Sequence, residues 1–381
     1  MEIPVSSLFS FCSSENTGFW AGISVEFHVV LLLFEAYPVS TRLSVDQAAN
    51  HSFPLLVADI GGTHVRFGWV ASAGAGLNQV RAYRCADFAS PIDAVQRYLA
   101  DAGARAPLRA AVAIATVVQA GPIKLTNSDW IFEAGSFKQS LGADRIEVFN
   151  DFEAIALVLP YLTAGDYAIV GGAALDQRLP MAVLGPGTGL GVAGIVPVRG
   201  HRPLWQTVCG EGGHVSIPSA TAWQHAVIAA AQKELGHVSA EQLVSGIGLP
   251  ALYRAVAAVE NRPVEILEAS EIGLRGASRT DPLCERTLDT FCGILRTLAA
   301  NLALTLGARG GVFIAGGIVP QWGDFFAESS FREHFENNGR YRDYLSSIST
   351  AVITTPYPGL MGLMQHAEHT PLENAEICVA G

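Results

Sequence analysis

From residue 54 onward, apolar runs of strand length alternate with stretches of helical period, the signature of α/β architecture. Runs at 55–59 and 65–70 flank Ile60-Gly61-Gly62-Thr63-His64 and predict a β-hairpin, and 110–116 and 145–149 predict two further strands. A helical stretch over 153–159 follows the second of these. Runs at 181–184 and 190–195 flank Gly185-Pro186-Gly187-Thr188-Gly189 and predict a second strand–turn–strand unit. Further on, Leu288, Phe291, Leu295, Leu298 and Leu302 recur every three or four positions, predicting a long helix with Gly307 as its C-cap. A strand at 311–315 then ends at Gly316-Gly317. The two glycine-rich hairpins lie about 125 residues apart, a weak internal repeat that predicts a duplicated, two-lobed fold with a ligand between the lobes.

Residues 1–52 break this pattern. They hold few glycines and no clear period, with Phe9, Phe11, Phe19, Trp20 and Phe27 scattered among them, and predict a poorly ordered extension; a docking segment is the alternative. The apolar run at 29–34 is far short of the ~20 residues a membrane span needs, and the first basic residue is Arg42, so no secretory leader is read there.

Composition narrows the function. The 381 residues include 35 acidic and 24 basic side chains, a net charge of −11, which argues against a broad electrostatic grip on nucleic acid or anionic lipid. Half the chain is hydrophobic and only 15 % is charged, enough apolar material for about two domains and a buried subunit interface. The six cysteines are scattered without a CxxC and read as thiols of a reducing compartment, with the cytoplasm as the default.

Six segments carry candidate chemistry. Asp59-Ile60-Gly61-Gly62-Thr63 ends a strand with two glycines that permit positive φ and turn N–H groups toward an anion. Asp59 there could hold the water shell of Mg²⁺; an ordinary hairpin is the competing reading. The turn from Gly185 to Gly191 repeats that chemistry with Thr188, and the pair together favours a nucleotide site. Asn150-Asp151-Phe152 stands where a strand becomes a helix. By residue preference Asp151 is a helix N-cap; its functional reading is a general base for a substrate hydroxyl. Glu211-Gly212-Gly213-His214 cannot be a helical metal pair, and its flexible backbone suits sugar hydroxyls or a plain surface turn. Ser239-Ala240-Glu241-Gln242 scans as a capping box opening a helix, which makes Glu241 either a first-turn acid or one more hydroxyl acceptor. Gly316-Gly317 reads as a turn or as a close approach for an adenine ring.

In order along the chain, the strings 58–63, Leu-Thr-Asn-Ser-Asp-Trp (125–130), Phe-Asn-Asp-Phe (149–152), 185–192, Gly-Glu-Gly-Gly-His-Val (210–215), 236–241, 310–320 and Pro-Gly-Leu-Met-Gly (358–362) resemble the proteobacterial-type glucokinases of the hexokinase and actin-like ATPase superfamily. The resemblance runs from about Pro54 to about His366. It implies a two-lobed, ribonuclease H-like α/β fold with glucose and ATP in the cleft, a small domain of 53–161 plus about 355–370, and a large domain of 162–354. ATP with Mg²⁺ would meet Ala58, Asp59, Ile60, Gly61, Gly62 and Thr63, then Gly187, Thr188 and Gly189, with the adenosine near Gly316 and Gly317. Glucose would be held by Asn127, Asn150, Asp151, Glu211, His214 and Glu241, with Asp151 as base toward the 6-hydroxyl. A homodimer is implied. Departures are His64 where Asn is common, Val117-Val118-Gln119-Ala120 in place of a Pro and Gly-Asp stretch, and the extension. The zinc-binding cysteine cluster of the repressor and open-reading-frame kinases is absent, Cys209 being isolated. The activity implied is ATP-dependent glucose phosphorylation; the alternatives are a kinase for another hexose and a catalytically silent sugar sensor.

Overall fold

The computed structural model describes residues 53–125, 129–198, 204–329, 331–369 and 377–379, so the 1–52 extension and Asn127 lie outside the described residues. The strands are β1 (Leu55–Ile60), β2 (His64–Val70), β3 (Asn78–Arg84), β4 (Arg109–Ile114), β5 (Ile123–Lys124), β6 (Ile131–Phe132), β7 (Arg145–Asn150), β8 (Tyr167–Gly171), β9 (Met181–Pro186), β10 (Leu190–Val198), β11 (Leu204–Cys209), β12 (Gly311–Ile314), β13 (Thr350–Ile353) and β14 (Ile377–Val379). The helices are α1 (Pro91–Ala102), α2 (Ala134–Leu141), α3 (Asp151–Val158), α4 (Ala222–Leu235), α5 (Leu249–Val259), α6 (Ala269–Ala277), α7 (Pro282–Leu306), α8 (Asp324–Glu328), α9 (Phe331–Glu336), α10 (Arg342–Ser346) and α11 (Pro358–His369).

Two six-stranded mixed sheets carry the fold, in the orders β14-β7-β4-β1-β2-β3 and β11-β10-β9-β12-β13-β8. Each begins as an antiparallel meander, β1-β2-β3 or β9-β10-β11, and continues with parallel strands, β4 and β7 or β12 and β13. The weak repeat of glycine hairpins therefore belongs to a repeat of sheet topology. Both predicted hairpins form, with the strands reaching into the expected turns: Ile60 pairs opposite Val65 and Pro186 opposite Leu190.

Alternation along the central strands explains why they read as unbroken apolar runs. Leu55 and Val57 of β1 join one buried cluster while Leu56, Ala58 and Ile60 join another on the opposite face. In the second sheet Met181 and Val183 join the first of these clusters, and Ala182 and Leu184 enter a third. The shared cluster lies between the two sheets and holds α3 and α11, which pack on each other. A parallel strand covered on both faces needs apolar residues at every position.

The long helix is α7, with Asp281 as N-cap, Pro282 in the first turn and Gly307 at φ 61° closing it, as the spacing predicts. Two local expectations need correction. The N-cap of α3 is Asn150, not Asp151: Asn150 is extended (φ −68°, ψ 153°), and its Oδ1 accepts from the N–H groups of Phe152 (2.9 Å) and Glu153 (3.3 Å). Asp151 is the first helical residue, and its carboxylate is left for other work. Ser239 does not open a helix either. Its N–H donates to Gln242 Oε1 at 2.8 Å, half of a capping box, but the chain runs in turns until α5 begins at Leu249. The donors a helix would use go elsewhere: Gly246 N–H to the Gly187 carbonyl (2.8 Å) and Ile247 N–H to that of Thr188 (3.2 Å).

One buried ion pair ties the first sheet to α11. Arg109 (1 % exposed) pairs with Glu147 on the adjacent strand and donates from Nη1 to the Ala367 carbonyl at 3.2 Å; His366 Nε2 lies 3.6 Å from Glu147. Burial alone would raise the Glu147 pKa, but the neighbouring His366 imidazole and the Arg109 guanidinium overcome it and hold the carboxyl down at about 2. A depressed carboxyl stabilises the fold above its ordinary pKa of 4.5 and loses that contribution as pH falls toward 2. Glu147→Gln strands the Arg109 charge and should cost about 3–5 kcal/mol at pH 7. Denaturant titration should show the deficit narrowing in acid; an equal deficit at pH 7 and at about pH 3 would mean the carboxylate charge is not what stabilises.

Candidate active site

The ends of β1, β7 and β9 and the turn after β11 bring the candidate residues into one arc. Asp59, next to last in β1, is partly exposed and pairs with Arg66 Nη1 of β2 at 3.1 Å. Its pKa is raised, burial outweighing the Arg66 charge. Asp151 starts α3 and is also only partly exposed. Burial first, then the charges of Asp59 and Glu211, push its carboxyl up to about 7, against the Phe152 N–H that it accepts at 2.9 Å. Asp59 and Glu211 thus lie close enough to Asp151 for their charges to disfavour its own.

The sugar-motif residues converge from three segments. His214 Nε2 stands 3.8 Å from Glu211 and 4.0 Å from Glu241, with His214 and Glu211 more than half exposed and Glu241 mostly buried. Glu241 is held by the Leu190 N–H, which donates to Oε2 at 2.8 Å, so it belongs to the end of the second glycine turn. Asn150 spends its Oδ1 on the helix cap, and its Nδ2 donates to the Thr116 carbonyl at 3.2 Å. One Nδ2 hydrogen remains for another partner.

The glycine turns are shaped by close packing more than by left-handed backbone. Gly61 is not at positive φ, and its N–H donates to the His64 carbonyl at 3.0 Å within the turn. Ala58 and Ile60 are core side chains and offer only backbone, whereas Thr63 is exposed. In the second turn Gly187 N–H donates to the Gly189 carbonyl at 2.8 Å and Thr188 is exposed. A Cβ on Gly189 would collide with the Glu241 carboxylate, and one on Gly191 with the Phe152 ring. Gly316 does take the left-handed conformation (φ 84°), and a Cβ there would strike the Pro186 carbonyl; Gly317 borders open space, with only Gln321 Nε2 near, at 3.9 Å. The geometry therefore joins Asp59, Asp151, Glu211, His214, Glu241 and the 185–191 turn, with Gly316 packed against Pro186 of that turn.

Three participants were not singled out by the motifs. Arg66 restrains Asp59, Glu153 completes the α3 cap, and Thr207 of β11 donates to Glu153 at 2.6 Å. Asn150-Asp151-Phe152-Glu153 does carry the capping-box spacing that could have revealed Glu153.

Among solved structures this fold recurs in sugar kinases. A glucokinase from an Antarctic psychrotroph superposes with TM-score 0.75 at 34 % identity, covering 83 % of this chain and 99 % of that one. A glucokinase from Balamuthia mandrillaris has the same fold, with TM-score 0.66 at 20 % identity over 86 % of this chain and 99 % of the other. In sequence, the glucokinase of Aromatoleum aromaticum is 43 % identical over 328 residues, 86 % of this chain and 96 % of its own length. That of Paramagnetospirillum magneticum is 43 % identical over 310 residues, 81 % of this chain and 96 % of its own. The glucokinase family model matches residues 56–370, and the chain belongs to that family.

The raised Asp151 pKa has a consequence for stability. The native state holds this proton more tightly than the unfolded chain does, so the group's contribution is complete below 3.8 and is lost as pH rises to about 7. Asp151→Asn mimics the protonated form. Its melting temperature should match the wild type near pH 4 and exceed it at pH 8. A pH-independent difference would contradict the desolvated placement of this carboxylate.

Proposed function

We propose that the chain transfers the γ-phosphoryl group of ATP to the 6-hydroxyl of glucose, with Asp151 accepting the hydroxyl proton. The observation that carries this reading is one carboxylate of near-neutral pKa set beside the Glu211, His214 and Glu241 group at the junction of the two sheets. General-base efficiency peaks when the pKa lies near the working pH, and phosphoryl transfer through a loose transition state asks mainly for alignment and late proton removal. Asp151 meets both needs from the first turn of a short helix whose position is fixed by packing.

The remaining roles follow from chemistry. Glu211 and Glu241 accept hydrogen bonds from neighbouring sugar hydroxyls and His214 donates or accepts, which reads hydroxyl stereochemistry; each bond to a charged acceptor is worth roughly 1.5–3 kcal/mol. Asn150 adds its remaining Nδ2 hydrogen, and Asn127 is assigned to the same pocket on the family pattern alone. Thr63 and Thr188 offer hydroxyls, and the turns at 58–63 and 187–189 offer backbone, to the phosphates; Gly317, beside Gly316, leaves room for the adenosine. The carboxylate oxygens of Asp59 are hard donors of the kind Mg²⁺ takes, and a magnesium ion bound there with ATP would neutralise phosphate charge.

Residues 53–161 and about 355–370 form the small lobe in this reading and 162–354 the large one; β14 (Ile377–Val379), beyond the expected boundary, also joins the first sheet. Closing them over the sugar excludes water and limits wasteful hydrolysis of ATP. A homodimer is carried over from the family pattern, and a cytoplasmic setting from the scattered cysteines. Among the described residues no helix is long and apolar enough to cross a membrane.

The decisive experiment measures ADP release with MgATP against glucose, mannose, fructose and N-acetylglucosamine, for wild type and Asp151→Asn. Glucose should be strongly preferred. The variant should lose about 10²–10⁴-fold in kcat while binding glucose within a few-fold of wild type. Unchanged kcat in the variant would end the base assignment, and sugar binding without turnover in the wild type would favour a sensor. The wild-type kcat/KM should also fall about tenfold per pH unit below the Asp151 pKa of about 7, and a flat profile down to pH 5 would count against it.

A further inference from the structure

Glu153 is a buried carboxylate for which the reaction above has no role. It is the third residue of α3 and is 5 % exposed. Its Oε2 accepts the Asn150 N–H at 3.4 Å, which completes the capping box, and its Oε1 accepts the Thr207 hydroxyl at 2.6 Å. Capping needs only one acceptor, and a neutral glutamine side chain supplies it as well. The second oxygen does something different. Thr207 belongs to β11, in the other sheet, and β11 runs directly into Gly210 and Glu211.

One side chain thus holds the residue before Asp151 with one oxygen and, with the other, the strand that delivers the Glu211–His214 turn. β11 is the outermost strand of its sheet, paired to β10 alone among the described strands, so the Glu153–Thr207 bond joins its end directly to α3, alongside the packing of α3 on that strand. A hydrogen bond of 2.6 Å from a hydroxyl to a carboxylate has the length of a charge-assisted one.

We infer that Glu153 is a positioning residue for phosphoryl transfer, which through Thr207 fixes the Asp151 carboxylate relative to the turn bearing Glu211 and His214. This rests on the reading of Asp151 and Glu211 given under the proposed function. Removing the tie lets the two halves of the site shift by fractions of an ångström, which harms alignment in the transition state more than it harms sugar binding.

The test compares wild type with Thr207→Val, Thr207→Ser and Asp151→Asn, reading kcat at saturating glucose and MgATP, glucose Kd by calorimetry, and melting temperature. Thr207→Val keeps the shape and loses the hydroxyl. Its kcat should fall about tenfold or more, with glucose Kd within about threefold of wild type, and Thr207→Ser should recover kcat to within about twofold. A Thr207→Val enzyme that melts earlier but keeps wild-type kcat at 25 °C would show a purely structural tie and overturn the inference. A glucose Kd weakened as much as kcat would overturn it too, by making Thr207 part of sugar binding. If Thr207→Val does not fold, Glu153→Gln keeps the cap acceptor and weakens the tie; about threefold loss of kcat with unchanged glucose Kd supports the inference, and unchanged kcat overturns it. Asp151→Asn separates the two levels. A fully active Asp151→Asn enzyme removes the base assignment and the inference with it, whereas an inactive one beside a fully active Thr207→Val enzyme removes only the tie.

Discussion

The backbone-close packing of α3 determines where every other part of the site can stand. An isolated helix of eight residues has no stability of its own in water, where even good helix formers need roughly 12–15 residues. Its position must come from contacts, and six of its eight residues are buried. The Phe152 ring fills a space that exists because Gly185 and Gly191 in the second sheet have no side chains, and the Ala154 carbonyl lies where a Cβ on Gly362 of α11 would be. Burying such a ring contributes about 1.5–3 kcal/mol, and the absence of three side chains gives that energy a single geometry. With the helix body fixed in this way, its first residue, Asp151, has little freedom relative to either sheet.

Three acids near one another in the fold are treated in opposite ways. Glu147 is buried but meets Arg109 and His366, and its pKa falls; it serves stability. Glu153 is buried and accepts two hydrogen bonds, a backbone N–H and a hydroxyl. Asp151 has a neighbouring backbone N–H and two like charges, and its pKa rises. The protein holds Asp151 in an environment that disfavours its charge, a local cost that a purely structural residue would not incur. Desolvation and like charge at the meeting of several chain segments are the physical grounds on which Asp151 is proposed as the base.

How much of this was legible follows from what each signal measures. The two hairpins and α7 were readable because apolar period and glycine placement act locally, and Gly307 closes α7 as its position predicts. The outer strands were not. In β3 the sequence Asn-Gln-Val-Arg-Ala-Tyr-Arg is mostly exposed, and β14 is three residues long, so neither gives an alternating apolar pattern. Asn150 and Asp151 are equally good N-caps by residue type, and only the point where β7 ends decides between them. The capping signal at Ser239 is real in its hydrogen bond to Gln242, yet the helix is displaced because Gly246 and Ile247 donate to a turn some 60 residues earlier. The Thr207–Glu153 bond joins positions 54 apart and has no local trace at all.

The repeated topology gives the site its central symmetry and also shows where that symmetry ends. In the first sheet the chain leaves β7 and enters α3; in the second it leaves β13 and enters α11. The two helices occupy matching places after the matching strand, and they meet each other in the cluster shared by both sheets. Their contact is close because one side contributes a glycine, Gly362, against the backbone of Ala154. The glycine hairpins β1–β2 and β9–β10 likewise correspond. The chemistry is not duplicated. The strand-to-helix junction in the first half reads Asn150-Asp151-Phe152-Glu153, with a cap, a perturbed carboxylate, an anchoring ring and a tie to β11, whereas the second half enters α11 through Thr354-Thr355-Pro356-Tyr357-Pro358 with no acid. A duplicated scaffold can therefore supply two equivalent turns and two equivalent helices while placing a single perturbed carboxylate, the proposed base, at one of the two junctions. That asymmetry is what a reaction with one proton to remove and one phosphoryl group to move requires.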